Sequence, residues 1–316
     1  MFDFKNHRGR FVVHYPGEDA MEYSRKYEYT VENFEGEISK YLQSRYGYSS
    51  RVIKSVKKEG ELLLNGKHMP FVGKCRSGDR IEVMLRKEHM DSEPQDLPLK
   101  LIYEDEDILV ADKPPYMVTH PTKSHPDNTL SNAVYGYYEK NGIDGKLHFV
   151  SRLDMDTSGV VIIARNKFIH HLMQNMDEFR PFDKYYQAII KGHLPEEKGV
   201  IDMPILRSSE GIRRVIDEEG KDCLTEYEVL EEFPAHSLVK LRLLTGRTHQ
   251  IRVHMQSMGT PILSDVLYGD GTDPLIGRQA LHAASVSFMH PVERRVMRFE
   301  SPLPSDMQRV LEALRR

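Results

Sequence analysis

The apolar positions of this chain change period several times, and each change marks an element. In "EGEISKYLQSRYG" (35–47), Ile38, Tyr41 and Leu42 recur at i, i+3, i+4, which predicts a helix. Ser49 or Ser50 then offers an N-cap for a second helix, "RVIKSVKKEG". Its Val52, Ile53 and Val56 share one face, and Gly60 is its stop. "ELLLNGKHM" reads as a strand with an Asn65-Gly66 hairpin turn, and "SGDRIEVML" as a closing turn and strand. Residues 88–100 are acidic, carry Pro94 and Pro98 and lose all period, as a linker would.

Beyond the linker, "LIYEDEDILVADKP" gives two short strand-like runs around an acidic turn. Residues 129–141 predict a helix capped by Thr129. A further helix is expected from about Lys167 to Phe179, where Phe168, His171, Leu172, Met176 and Phe179 recur at helical spacing. Strand-like runs dominate 184–244: "KYYQAIIKG", "GIRRVI", "CLTEYEVLEEF" and "HSLVKLRLL". "RTHQIRVHMQSMG" (247–259) reads as helix, "LHAASVSFMHP" as strand and "PSDMQRVLEALRR" as a capped terminal helix. Many strands with scattered helices and no regular βαβ alternation predict an α+β class. The organisation expected is a polar, tyrosine-rich extension (1–29), part of it either a loose arm or an extra strand, a small α/β unit (30–87), an acidic linker (88–100) and a larger domain (101–316).

Composition narrows the function classes. A chain of 316 residues with 39% hydrophobic content has room for two cores. No apolar run approaches the roughly 20 residues of a membrane-spanning helix, and the first residues lack the apolar core of a secretory signal. Two cysteines, Cys75 and Cys223, make a reducing cytoplasm the simpler expectation. The 15 histidines do not follow metal-ligand spacing: His249 and His254 are five apart, and His170 and His171 are adjacent. The spacing thus leads to no expected metal, and without a glycine-rich phosphate loop neither a nucleoside triphosphate nor a dinucleotide is implied, so no cofactor is expected.

Net charge is −4, but unevenly spread. Residues 51–87 hold ten Lys or Arg and four acids, whereas residues 88–112 hold nine acids and one Lys. Arg51, Lys54, Lys57 and Lys58 recur on or beside one side of the second helix. That face is either a solvated helix surface or a contact for phosphates.

Two stretches are dense in functional groups. "FVSRLDMDTSGVV" (149–161) puts Arg152, Asp154, Asp156, Thr157, Ser158 and Gly159 against an apolar strand. Turn chemistry explains Asp156, Thr157 and Ser158, whose side chains would bond to the backbone, but it does not require Arg152 or Asp154. A glycosidase-like carboxylate pair is a weak reading, because residues two apart in an extended loop point opposite ways. "LLTGRTHQIRVHMQSMG" (243–259) carries Arg247, His249 and Arg252. On a helix His249 and Arg252 would share one face, and Gly246 before a cationic helix start suits a phosphate or carboxylate.

Taken in order, "DKPPYMVTHPT", "TLSNAV", "RLDMDTSG", "KYYQAI", "LTGRTHQIRVH" and "LHAASVSFMHP" resemble the RluA/RluD-type RNA pseudouridine synthases across residues 101–300. Residues 30–86 resemble the S-four-type RNA-binding domain often fused ahead of that catalytic domain, and this favours the phosphate reading of the basic helix. The resemblance implies a central, mostly antiparallel mixed sheet with flanking helices. It also implies base flipping, no cofactor, and an RNA partner, ribosomal more than transfer RNA. It assigns Asp154 as the catalytic Asp, Tyr186 as the active-site Tyr and Arg252 as the basic residue paired with the Asp. Arg152 and Thr157 would hold the loop and contact RNA, together with Arg247 and His249 and the α/β unit's Arg51, Lys54, Lys57 and Lys58. Ser151 departs from the family, which often has His there. The rival expectations are a non-catalytic RNA-binding or ribosome-assembly protein with an inactive synthase domain and, more weakly, a nucleoside glycosidase. A monomer is the default expectation.

Overall fold

The computed structural model describes residues 11–13, 21–175, 182–209 and 211–316. In the first unit, α1 (Ile38–Tyr46) buries Ile38, Tyr41 and Leu42 and ends at Gly47, whose φ of 70° is the left-handed conformation glycine adopts without strain. The preceding residues, Glu35–Glu37, are a short strand rather than the start of the helix. Ser49 accepts the Val52 N–H at 3.2 Å and opens α2 (Ser50–Glu59). Asn65 and Gly66 turn the hairpin with φ of 52° and 76°.

The unit's sheet runs Phe11–Val13, Met21–Thr30, Arg80–Arg86, Gly60–Leu64, Lys67–His68. Met21–Thr30 pairs along Arg80–Arg86, so this sheet takes in residues that the sequence assigns to the extension 1–29. Its period of two is present but carried by Tyr23, Tyr27 and Tyr29, with Arg25 in the series, instead of aliphatic residues. Residues 1–10 and 14–20 of the expected extension lie outside the described residues.

Ten strands form the second sheet. Its main path is Lys198–Asp202, Leu224–Phe233, His236–Leu243, Asp183–Lys191, Leu281–Met289, Ser158–Ala164, Ile108–Lys113, Lys100–Glu104. Among the described residues every pairing in it is antiparallel except Ser158–Ala164 with Leu281–Met289. Helix α3 (Leu130–Lys140) begins with a reciprocal cap between Thr129 and Asn132. In α4 (Lys167–Asn175) the Asn166 side chain caps the amides of Phe168 and Ile169; residues 176–179 of the expected helix lie outside the described residues. Then come α5 (Gln250–Ser257) and α6 (Ser305–Leu314). One apolar core runs through both units, joining Tyr27, Tyr48 and Val52 to Ile108, Phe168 and Phe299. A second lies under Tyr186, Ile251 and Met307.

Candidate active site

The loop between strands His148–Phe149 and Ser158–Ala164 is held almost wholly from outside. Ser151 Oγ accepts the Ile162 N–H at 3.1 Å, which pins the loop to the strand that follows it. The Thr119 hydroxyl donates to the Leu153 carbonyl at 3.0 Å and accepts the Leu153 N–H at 3.3 Å. Arg278 donates to the Asp156 carbonyl at 2.9 Å, and Arg278 is anchored in turn by Asp306 on α6. Gln279 donates to the Thr157 hydroxyl at 2.8 Å, and Ser158 bonds His282 at 3.0 Å. The expected turn is present, closed by the Thr157 N–H on the Asp154 carbonyl at 3.1 Å, but the side chains of Thr157 and Ser158 bond to distant residues instead of nearby backbone; Asp156 Oδ1 is buried with no partner among the described residues.

Lys113 is the centre of this support. Its Nζ donates to the carbonyls of Pro114, Met117 and Met155 at 2.9, 2.7 and 2.9 Å. Burial pushes the amine down to about 7, while Asp156 and Asp154 pull it upward. Three acceptors around one nitrogen need three N–H, which only the ammonium has, so the geometry is that of the charged form.

With the backbone fixed, the Asp154 side chain stays 29% exposed. Arg252 on α5 donates to it from Nη1 at 2.9 Å. The other guanidinium nitrogens hold Asp265, Nε at 2.6 Å and Nη2 at 2.7 Å, and Asp265 is fully buried. Burial opposes the charge on Arg252, but the bonds to Asp265 and then Asp154 outweigh it and raise its pKa. His249 Nε2 lies 3.8 Å from the same Asp154 oxygen, and its Nδ1 is 2.8 Å from the Tyr268 hydroxyl. Burial holds this imidazole below its ordinary range, with Asp154 opposing. Tyr186, on strand Asp183–Lys191, is buried; burial and then the charge of Asp154 push its phenol upward, so the hydroxyl keeps its proton.

Helix α5 starts at Gln250, three residues later than the sequence pattern suggests. Gln250 is buried and its amide ties together the Arg247 N–H, Thr245, the Leu224 carbonyl and Thr225, which fixes Gly246–His249 as a turn. His249 stands at the helix boundary with φ 59° and makes no side-chain cap. It meets Arg252 at Asp154 because the turn aims it there, not because the two share a helix face.

A family model described as RNA pseudouridylate synthase matches residues 107–257, a span that contains Asp154, Tyr186 and Arg252. The RNA pseudouridine synthase YjbO of Bacillus subtilis is 35% identical over 289 residues, 90% of this chain and 98% of that one. The chain belongs to the RluA/RluD-type family of RNA pseudouridine synthases. Ribosomal large subunit pseudouridine synthase D of Xanthomonas campestris is 37% identical over 273 residues, 82% of each chain. The solved structure of human RNA pseudouridylate synthase domain containing 1 aligns with a TM-score of 0.55 at 26% identity, covering 71% of this chain and 97% of that one.

The synthase is an isomerase acting on RNA, and its fold is the expected α+β arrangement around a mostly antiparallel sheet. Of the residues singled out in the sequence, the structure brings Asp154, Arg252 and His249 together and places Tyr186 in the field of Asp154. Arg152 and Arg247 are exposed. Thr157 is buried with its hydroxyl bonded to Gln279, so it braces the loop from inside. Arg51, Lys54, Lys57 and Lys58 are exposed on α2, with Lys58 beside Glu59 at 3.6 Å. Lys113, Asp265, Tyr268 and Arg278 were not legible as site residues. Lys113 carries the one available signal, a charge closing the apolar run "ILVA" before Pro114-Pro115. Among the described residues no three His, Cys, Asp or Glu side chains are arranged to hold a metal, and no helix is long and apolar enough to cross a membrane.

Proposed function

We propose that the synthase isomerises specific uridines of a structured RNA, ribosomal RNA ahead of transfer RNA, with Asp154 as its single catalytic carboxylate. The observation that carries this reading is the partly exposed Asp154 bonded at 2.9 Å to an arginine whose other nitrogens are committed to a buried Asp265. A cation fixed in this way favours the ionised carboxylate and orients it. Asp154 acts at the ribose, as nucleophile on the anomeric carbon or as base for the neighbouring ribose proton. Either route breaks the bond to the uracil nitrogen. The base turns and carbon 5 bonds to the anomeric carbon, as the Asp154–ribose ester breaks in the first route or the abstracted proton returns to the ribose in the second; the carbon 5 hydrogen then leaves to solvent and the former glycosidic nitrogen takes up a proton. Tyr186 supplies a flat wall for the displaced base, a stacking contact worth about 1–3 kcal/mol.

A uridine within a folded RNA reaches this site by base flipping. In this reading Arg152, Arg247 and His249 contact the RNA as it enters, and residues 30–87 act as an S-four-type unit that grips RNA through Arg51, Lys54, Lys57 and Lys58. The preference for ribosomal RNA is supported by the named large-subunit synthases among the relatives. The protein acts as a monomer in this reading. The test is to map pseudouridines in total RNA from cells with and without the gene. Loss of one or a few large-subunit sites supports the reading; loss of transfer RNA sites alone contradicts it.

A further inference from the structure

Strand Met21–Thr30 does more than widen the first sheet. Its Arg25 reaches the larger domain and grips Asp107 with two bonds, Nε at 3.0 Å and Nη2 at 2.9 Å, and also pairs with Glu106. Tyr27 donates to the same Asp107 at 2.9 Å and accepts from Asn166 at 3.0 Å. Asp107, Tyr27 and Asn166 are all buried, and Asn166 is also the cap of α4. Around this polar cluster, the Phe168 ring packs between Tyr27 and Tyr48, at centroid distances of 5.1 and 4.3 Å, and Lys167 pairs with Glu59 at 2.5 Å. A joint made of a bidentate Arg–carboxylate pair inside a shared apolar core has one geometry. A flexibly tethered module would not need it.

The joint fixes where the basic face of α2 lies. His171 on α4 sits in the field of Arg51, which adds to burial in holding its imidazole low. One turn on, Gln174 donates to the Val150 carbonyl at 2.7 Å, next to Ser151. His170 lies 5.8 Å from His148, on the strand leading into the catalytic loop, and His120 feels the charge of Arg152. Helix α4, nine residues and so about 13 Å long, thus spans from the α2 cations to the loop that carries Arg152 and Asp154.

We propose that the two units form one rigid RNA-reading body, in which the phosphate backbone runs from Lys54 and Arg51 on α2, across α4 at His171, to Arg152 beside the catalytic Asp154. This rests on the reading of α2 as an RNA contact. The partner is an RNA helix flanking the target uridine, held in fixed register with the site; sequence specificity then depends partly on the distance between that helix and the flipped base.

The test uses the full chain and an unmodified large-subunit ribosomal RNA transcript, with binding measured at fixed salt. Three substitutions to glutamate are compared: Lys54→Glu on α2, His171→Glu on α4 and Arg25→Glu in the joint. Each is expected to weaken binding about tenfold, and Arg25→Glu is also expected to expand the protein in small-angle scattering. If Lys54→Glu leaves affinity unchanged, the reading of α2 as an RNA contact fails, and the path with it. If Lys54→Glu weakens binding but His171→Glu and Arg25→Glu do not, α2 still binds RNA as an independent module and the single-body path is overturned. Should Arg25→Glu fail to fold, His171→Glu and the scattering of the unaltered chain decide between one body and two.

Discussion

Arg252 gives Asp154 a single hydrogen bond, from Nη1 at 2.9 Å, while Nε and Nη2 close on Asp265. The arginine is thus positioned by a fully buried carboxylate, and its contact with Asp154 is made through Oδ2 alone. Removing the guanidinium would strand a buried carboxylate at Asp265. Arg252→Met should therefore cost about 3–5 kcal/mol in chemical unfolding as well as abolishing turnover. Arg252→Lys can meet one carboxylate but not both and should lose most activity with a smaller loss of stability. Equal stability of Arg252→Met and the parent protein would remove Asp265 from the account.

Gly159 lies at φ 115°, where the active-site loop enters the sheet, and a Cβ there would stand 2.2 Å from the Ala283 carbonyl oxygen. Neither backbone can yield, because this is the parallel pairing of Ser158–Ala164 with Leu281–Met289. Gly159→Ala should lower stability by more than about 2 kcal/mol, read as a clear fall in Tm, and should reduce turnover through displacement of Asp154. An unchanged Tm would contradict the steric argument.

Tyr268 joins two elements at the site. Its hydroxyl accepts the Arg214 N–H at 2.8 Å from strand Arg214–Ile216 and bonds His249 Nδ1 at 2.8 Å. Tyr268→Phe keeps the ring over Arg252, at 5.1 Å, and deletes only these bonds. The expected outcome is a stability loss of about 1 kcal/mol with a larger fall in kcat than in Tm would suggest, because His249 loses the partner that aims it at Asp154. A kcat equal to that of the parent would leave Tyr268 a purely structural residue.

Acid sensitivity should arise partly at Asp105. Burial works against its charge, but the bond from His290 at 3.1 Å and the amides of Ile108 and Asp107, both at 2.7 Å, hold it down at about 2. Its folded pKa lies below its unfolded one. Its contribution, about 2 kcal/mol, is therefore present above the ordinary carboxylate range and is lost as pH falls through about 2. Asp105→Asn should show a shallower loss of stability than the parent between about pH 4 and pH 2. Identical acid unfolding curves would exclude this carboxylate.

Legibility from sequence followed the range of the interactions. Helices α2 and α3 were readable down to Ser49 and Thr129, because caps and periodicity are local. Asp154 and Arg252 were visible as unusual residues in dense motifs, and the family resemblance gave them roles. The start of α5 was not readable, since the buried Gln250 amide organises its turn through Leu224 and Thr225, some 25 residues away in sequence. Nor was the loop's support: Lys113, Gln279 and Arg278 reach it from strands and turns distant in the chain. Residues 1–30 were legible only as a loose arm or an extra strand, because the inward face of Met21–Thr30 is aromatic and carries Arg25, whose partner Asp107 lies 82 residues on.

The most direct measurement is tritium release from RNA labelled at carbon 5 of uracil, comparing the parent protein with Asp154→Asn. The substitution keeps size and an acceptor for Arg252 but removes the charge, so RNA binding should persist within about threefold while release of label falls to background. Near-parental release by Asp154→Asn would contradict the central claim that this carboxylate carries the reaction.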